Sequence, residues 1–374
     1  MPGEPEFRDH LPTGPVRGRG AGLNPGNRFE GVRLHVLGDH LDEVVAENPD
    51  GTKVATRIYE DHSRTILNPI ESPDIPCNWS VNPYRGCEHG CIYCYARPGH
   101  EYLGLSSGLD FETRIFAKLR APELLRAELS KPGWKGEPIM FAGVTDPWQP
   151  VEAKLRLTRR ILEVCVEFGQ PVSAVTKNHL ITRDIDLLGE LAAHNAARAA
   201  VSVTTLDNRL AAKMEPRASS PRERLAAIRE LTAAGVPVAV MVAPIIPGLN
   251  DHEMPAILEA AAEAGATGAG YVMLRLPHQI KDLFLEWLQR HVPERAAKVE
   301  SLIRQMRGGE LYEAGYFQRQ RGQGPRADGI RAAFELFTRR YGLNKGRSGV
   351  SSAWFMEKRA AAEAARRGGL LFEL

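Results

Sequence analysis

Two patterns of apolar and polar positions divide the chain. Between Phe29 and about Pro76, "GVRLHVLG" and "TKVATRIYED" alternate apolar and polar residues on either side of "NPDGT", which predicts two strands and a turn. From Asn78 onward, short apolar runs alternate with longer segments of helical period. The runs "PIMFAGV" (138–144), "PVSAVT" (171–176), "AAVSVTT" (199–205), "VPVAVMVA" (236–243) and "GAGYVMLRL" (268–276) are predicted as buried parallel strands. "AKLRLTRRILEVCVEFG", "RDIDLLGELAAHN", "SPRERLAAIRELTAAG" and "DHEMPAILEAAAEAG" are predicted as helices between them. Gly or Asn at helix ends suits a C-terminal cap, and Asp or Ser at helix starts suits an N-terminal cap. One strand and one helix recur about every 30 residues, the length of a βαβ step.

Consecutive βα units form either an open doubly wound sheet or a barrel. Polar residues at successive strand ends favour an α/β fold with a partial parallel (βα) barrel of the TIM type: Thr145 and Asp146, Thr176 and Lys177, Ser202 and Thr204, and the stretch from Pro244 to Asp251. A parallel barrel builds its active site on that face. The expected organisation is a flexible arm over 1–28, a β-rich extension over 29–77, the barrel over 78–280 and a helical region over 281–374.

Apolar residues make up 43% of the 374 residues and charged residues 25%, the composition of a soluble globular protein. No apolar run has the roughly 18 residues of a transmembrane helix, and the first residues lack the apolar core of a signal peptide. A cytoplasmic monomer with no membrane partner is expected. The formal net charge of +2 gives no support for nucleic acid, and the basic stretches "FQRQRGQGPR" and "TRRYGLNKGR" read as solvated faces or loops.

Three of the five cysteines fall within "NPYRGCEHGCIYCYARPGH". Cys87, Cys91 and Cys94 are spaced C-x3-C-x2-C, and Gly86 and Gly90 let the backbone wrap tightly. Thiolates so spaced can each bind one iron of a 4Fe-4S cluster, leaving the fourth iron without a protein ligand. A structural zinc is the alternative, with His89, His100 or Cys77 as the fourth ligand, although no second ligand pair follows at finger-like spacing. Cys165 reads as a core thiol, and Cys77 as a loop residue or a redox or hydrogen-donor group. With no further cysteine cluster, no auxiliary iron–sulfur centre is expected.

C-x3-C-x-aromatic-C at the head of a βα barrel, with Tyr93 as the aromatic residue, resembles the radical S-adenosylmethionine (SAM) superfamily. "SPDIPCNWSVNPYRGCEHGCIYCYARPGH", "GLDFETRIFAKLRAPELL", "TDPWQPVE", "VTKNHLITRDIDLL", "SVTTLDNRLAAKMEPRA" and "PIIPGLNDHE" are similar to a bacterial family related to spore photoproduct lyase, from about Gly18 to Gly342. The resemblance implies that the open iron chelates SAM. An electron from a reductant such as flavodoxin or ferredoxin then cleaves SAM to a 5′-deoxyadenosyl radical that abstracts hydrogen from a substrate. It also implies SAM-binding roles at Tyr93, Tyr95, Thr145, Asp146, Lys177, Ser202 and Thr204. In "PIIPGLND", Pro244, Ile246, Gly248 and Asp251 stand where the superfamily's adenine strand usually has Gly, Ile, Gly and Glu; Ile246 is expected to pack on adenine and Gly248 to permit close approach.

Glu215 and Arg217 are candidates for the SAM carboxylate, for a substrate or for a surface ion pair. The spore lyase's hydrogen-donor cysteine has no counterpart in "MFAGVTDPWQP". Three readings stay open: a radical enzyme with an unidentified substrate, a DNA-repair lyase with Trp148, Trp287 and the 317–326 basic run as contacts, and a non-catalytic iron–sulfur or zinc module.

Overall fold

The computed structural model describes residues 7–8, 10–12, 16–29, 36–37, 54–345 and 349–370. One seven-stranded sheet organises the chain. Its strands are β1 (Leu67–Pro69), β2 (Trp79–Val81), β3 (Ile139–Phe141), β4 (Val172–Thr176), β5 (Ala197–Ser202), β6 (Val238–Ile245) and β7 (Gly268–Met273). They lie in sequential order, with β2 to β7 parallel and β1 antiparallel at one edge. Because β1 and β7 do not pair, the sheet is a partial barrel with an open side.

All five apolar runs form strands, each shorter than its run or displaced along it. The first barrel strand follows Asn78, where no apolar run predicts one. Trp79–Val81 is only three residues long and sits against "NP", too short for a periodic signal.

Burial alternates along β4, where Val172, Ala174 and Thr176 are buried and Ser173 and Val175 partly exposed. Val172 and Ala174 face the helices, where Ile161, Leu162, Leu188, Ile228 and Ile257 complete the main core, whereas Thr176, at the strand end, reaches the cavity. The second face is concave, and Val175, Met241, Ala243 and Val272 line a cavity there.

The first predicted helix is two. Glu152–Leu155 and Leu157–Phe168 are separated by Arg156 at φ 52°. The break lets the buried Glu152 carboxylate accept from the N–H groups of Thr158 and Arg159, so the preceding turn caps the second helix. Pro221–Ala233 starts with a capping box between Ser220 and Glu223, as its sequence allows.

The N-terminal residues differ most from expectation. The "NPDGT" turn lies outside the described residues, as does most of "GVRLHVLG"; Val36–Leu37 pairs with Phe7–Arg8. Arg57–Glu60 pairs in parallel with Arg114–Ala117, and Tyr84–Arg85 joins that strand's other side. Residues 16–28 of the expected arm are docked, not free. The N–H groups of Gly20 and Ala21 donate to the buried carboxylate of Glu112 at 3.0 and 2.9 Å, and Ala21 packs with Ile92 and Trp287.

Four longer helices follow the sheet, Ile280–His291, Pro293–Gln305, Gly324–Arg340 and Ala353–Leu370. Among the described residues, no helix is long and apolar enough to cross a membrane.

Candidate active site

The cavity, of about 270 Å³, lies at the C-terminal ends of the parallel strands. Its wall includes Cys87, Cys91 and Cys94, all from the turns between Tyr84–Arg85 and the short helix at Arg97–Leu103. Gly86, at φ +79°, begins the wrap; a Cβ there would stand 2.9 Å from the Phe111 carbonyl oxygen that also accepts from the Cys87 N–H. The loop is bonded on all sides. Ile92 N–H donates to the Met214 carbonyl, Arg97 Nε donates to the Cys91 carbonyl, and both the Thr145 hydroxyl and the Gln149 amide donate to the Gly86 carbonyl.

Burial pushes all three thiols up, Cys87 to about 12 with help from the Asp146 charge, and Cys91 well above its ordinary value with help from Glu215. Without a metal these groups stay protonated at neutral pH, so coordination must displace their protons.

Asp146 ties the strand ends to this loop. Its carboxylate accepts from the Thr176 hydroxyl and from the N–H groups of Trp148 and Lys177, and it lies 3.4 Å from His89 Nδ1. Burial lowers the His89 pKa to about 4, so the ring is neutral near pH 7. Its other nitrogen meets the Asn178 amide at 3.2 Å.

Beneath the loop, the hydroxyls of Tyr93 and Thr204 donate to the buried carboxylate of Glu215, whose second oxygen accepts from Arg224. Burial raises the Glu215 pKa and Arg224 opposes it. The Lys177 ammonium lies 5.8 Å from the Tyr93 ring centroid, its pKa lowered by burial against the pull of Cys91.

Of the sequence-predicted residues, the three cysteines, Tyr93, Tyr95, Thr145, Asp146, Lys177 and Ser202 line the cavity. Thr204, Ile246 and Gly248 do not. The Thr204 hydroxyl is turned to Glu215 and the Ala243 carbonyl. Ile246 is fully buried in a second apolar core, and Gly248 faces the Leu302 and Val299 side chains of the C-terminal helices. Asp251 pairs with Arg326 outside the cavity. Pro244 alone of the adenine-strand pattern reaches the wall.

The other candidate residues have partners of their own. Glu215 pairs with Arg224, whereas Arg217 pairs with Glu88 at 3.0 Å. His100 is buried between Phe111 and Phe116 with Nε2 on the Arg114 carbonyl, and the Cys77 thiol donates to the carbonyls of Pro138 and Trp79. Neither lines the cavity. Trp148 and Trp287 are fully buried, their indole N–H groups donating to Asp184 and to the Lys213 carbonyl, so neither can stack on a base. Arg275, not among the expected site residues, lines the cavity two residues past β7. The strand-end rule that selected Lys177 would have found it in "VMLRL".

A parallel partial barrel with three thiols at its strand ends defines a class. Residues 81–261 match the family model of the radical SAM superfamily. An uncharacterized protein of Mycobacterium tuberculosis is 37% identical over 244 residues, which is 64% of this chain and 72% of that protein. The chain belongs to the radical SAM superfamily and is an enzyme of that class. The radical SAM Nalpha-GlyT isomerase of Pseudomonas phage M6 is 30% identical over 175 residues, 46% of this chain and 34% of the isomerase. Among solved structures, spore photoproduct lyase complexed with dinucleoside spore photoproduct is similar over 76% of this chain and 80% of its own, with a TM-score of 0.54 and 17% identity. That likeness is one of fold.

Proposed function

We propose that Cys87, Cys91 and Cys94 hold a 4Fe-4S cluster, that SAM occupies the cavity on its open iron, and that the enzyme abstracts a hydrogen atom from a substrate yet to be identified. The donor set fits such a group. Three thiols, two buried and Cys94 partly buried, face one cavity, yet among the described residues no three His, Cys, Asp or Glu side chains converge on a point that could hold a single ion. Spaced thiolates suit the corners of a cubane and weigh against a zinc centre. None of the candidate fourth ligands is presented, because His89 is engaged by Asp146 and Asn178 and neither His100 nor Cys77 lines the cavity.

When bound and reduced by a flavodoxin or ferredoxin, the cluster supplies the electron that splits SAM to methionine and a 5′-deoxyadenosyl radical. The chain's own residues bind and orient. Lys177, whose ammonium has no hydrogen-bonded acceptor among the described residues, holds the SAM carboxylate, and Ser202 offers a hydroxyl beside it. Thr145 and Gln149 hold the cysteine loop through the Gly86 carbonyl. Tyr93 is fixed by Glu215 and Thr204, presenting its ring as the floor of the Lys177 site. Val175, Met241, Ala243 and Val272 keep water from the reacting centre.

The observation that carries this reading is the placement of three cysteines and an unanswered lysine on one strand-end cavity. Anaerobic reconstitution with iron and sulfide, followed by reduction with SAM and mass-spectrometric assay of 5′-deoxyadenosine, tests it. Product that disappears in Cys91→Ala and persists in Cys77→Ser supports it. A reduced, iron-replete protein that makes none refutes it.

A further inference from the structure

The cavity contains a second cation without a counterion. The Arg275 guanidinium lies 4.8 Å from the Tyr95 ring centroid, and its Nε is shielded from water with no hydrogen-bond partner. Among the described residues no carboxylate pairs with it. Asp74 is near enough for Arg275 to stabilise its charge, but that carboxylate accepts from Arg319 and from the Phe317 N–H. Arg307 is close as well, donating to the carbonyls of Leu274, Gln318 and Arg319. Burial and then the Arg275 charge pull its pKa down to about 10, with Glu313 opposing. Three guanidiniums thus face two carboxylates, and the one lining the cavity is unpaired.

A buried donor left unbonded is unfavourable, and an oxyanion in the planar fork of an arginine removes the deficit. SAM has a single carboxylate, and the reading above gives it to Lys177 on the Cys91 side. The anion at Arg275, on the Tyr95 side, therefore belongs to the substrate. Exposed rings accompany these guanidiniums, of which Tyr95 lines the cavity. Arg319 acts on the Tyr95 hydroxyl together with Arg275 and lies 4.6 Å from the Tyr316 ring, and Tyr95, Tyr316 and Phe317 are all exposed. Guanidiniums interleaved with exposed rings suit phosphates and planar bases.

We propose that Arg275 anchors a phosphate group of a nucleotide-containing substrate at the rim of the cavity. This rests on the assignment of Lys177 to SAM. A free mononucleotide and a nucleic-acid strand offer the same chemistry, and competition separates them.

The test uses the reconstituted enzyme with SAM, titrated anaerobically by fluorescence anisotropy with a short labelled single-stranded deoxyoligonucleotide. A deoxynucleoside monophosphate, inorganic phosphate and succinate serve as competitors. Arg275→Gln is expected to weaken oligonucleotide binding about tenfold and to flatten the logarithmic salt dependence by about one unit. Its iron content and SAM affinity are expected to match wild type, as is oligonucleotide binding by Arg126→Gln, whose residue forms an exposed pair with Glu167. Competition by the monophosphate at concentrations like those of the strand identifies a small phosphoester, whereas displacement by unlabelled strand alone identifies nucleic acid.

Binding by Arg275→Gln within twofold of wild type, no binding by wild type, or succinate competing as well as phosphate would overturn the proposal. A fall in SAM affinity in Arg275→Gln would also overturn it. Failure of wild type to hold iron or SAM would instead sink the reading of the cysteines, and the titration, needing no turnover, still judges the anion site.

Discussion

Arg97 and Glu112 form an ion pair at 2.6 Å with neither side chain exposed, directly behind the cysteine loop. Arg97 also donates to the Cys91 and Gly108 carbonyls, and Glu112 accepts from Gly20 and Ala21, so one pair joins the loop to the N-terminal residues. Glu112→Gln leaves a buried guanidinium without its counter-charge, at a cost of about 3–5 kcal/mol. Urea unfolding should show that loss, together with faster release of iron from the reconstituted protein in air. Stability within about 0.5 kcal/mol of wild type would mean that the pair does not fasten the loop.

Gly86 is the tightest point of that loop. Gly86→Ala places a side chain at φ +79° and against the Phe111 carbonyl, costing about 1–3 kcal/mol. Because Gly86 adjoins Cys87, iron per chain after reconstitution is expected to fall more sharply than the melting temperature. Normal iron loading would show that the loop relaxes around the methyl group.

Lys177 can be separated from the metal ligands. Lys177→Met keeps a long unbranched side chain while removing the charge, and SAM affinity measured calorimetrically on the reconstituted protein is expected to drop about tenfold or more. Iron content should not change. Unaltered SAM affinity would return the carboxylate to another group.

Acid stability has a definite sign. Burial lowers the pKa of both His89 and His100 from 6.5 to about 4. Between those values the unfolded chain binds protons that the folded chain refuses, so stability falls as pH drops from 6.5 toward 4 and is unaffected by these groups above 6.5. Each contributes a slope of up to about 1.4 kcal/mol per pH unit. Urea midpoints of the metal-free protein across that range should fall, and His100→Gln should flatten the fall; a profile unchanged by the variant would place the acid sensitivity elsewhere.

The sequence by itself determined the alternation of strand and helix, the cysteine triad and most of the strand-end residues, because each is a local signal. Apolar period reports which face is buried, thiol spacing reports what one loop can hold, and a polar residue ending a parallel strand points to the barrel mouth. Thr145, Lys177 and Ser202 are legible that way, and Arg275, two residues past the last strand, follows the same rule. Tertiary structure alone decided which strand-end side chains face the cavity: Thr204 turns to Glu215 only because Pro221–Ala233 brings Arg224 beside that carboxylate, and Ile246 and Gly248 turn to helices more than 30 residues onward. It also decided the fate of the N-terminal residues, which look like a polar, glycine-rich arm until Glu112, 92 residues from Gly20, supplies the buried acceptor their N–H groups need. Period and spacing carry no record of such pairings, since a buried charge finds its partner through the fold of the whole chain.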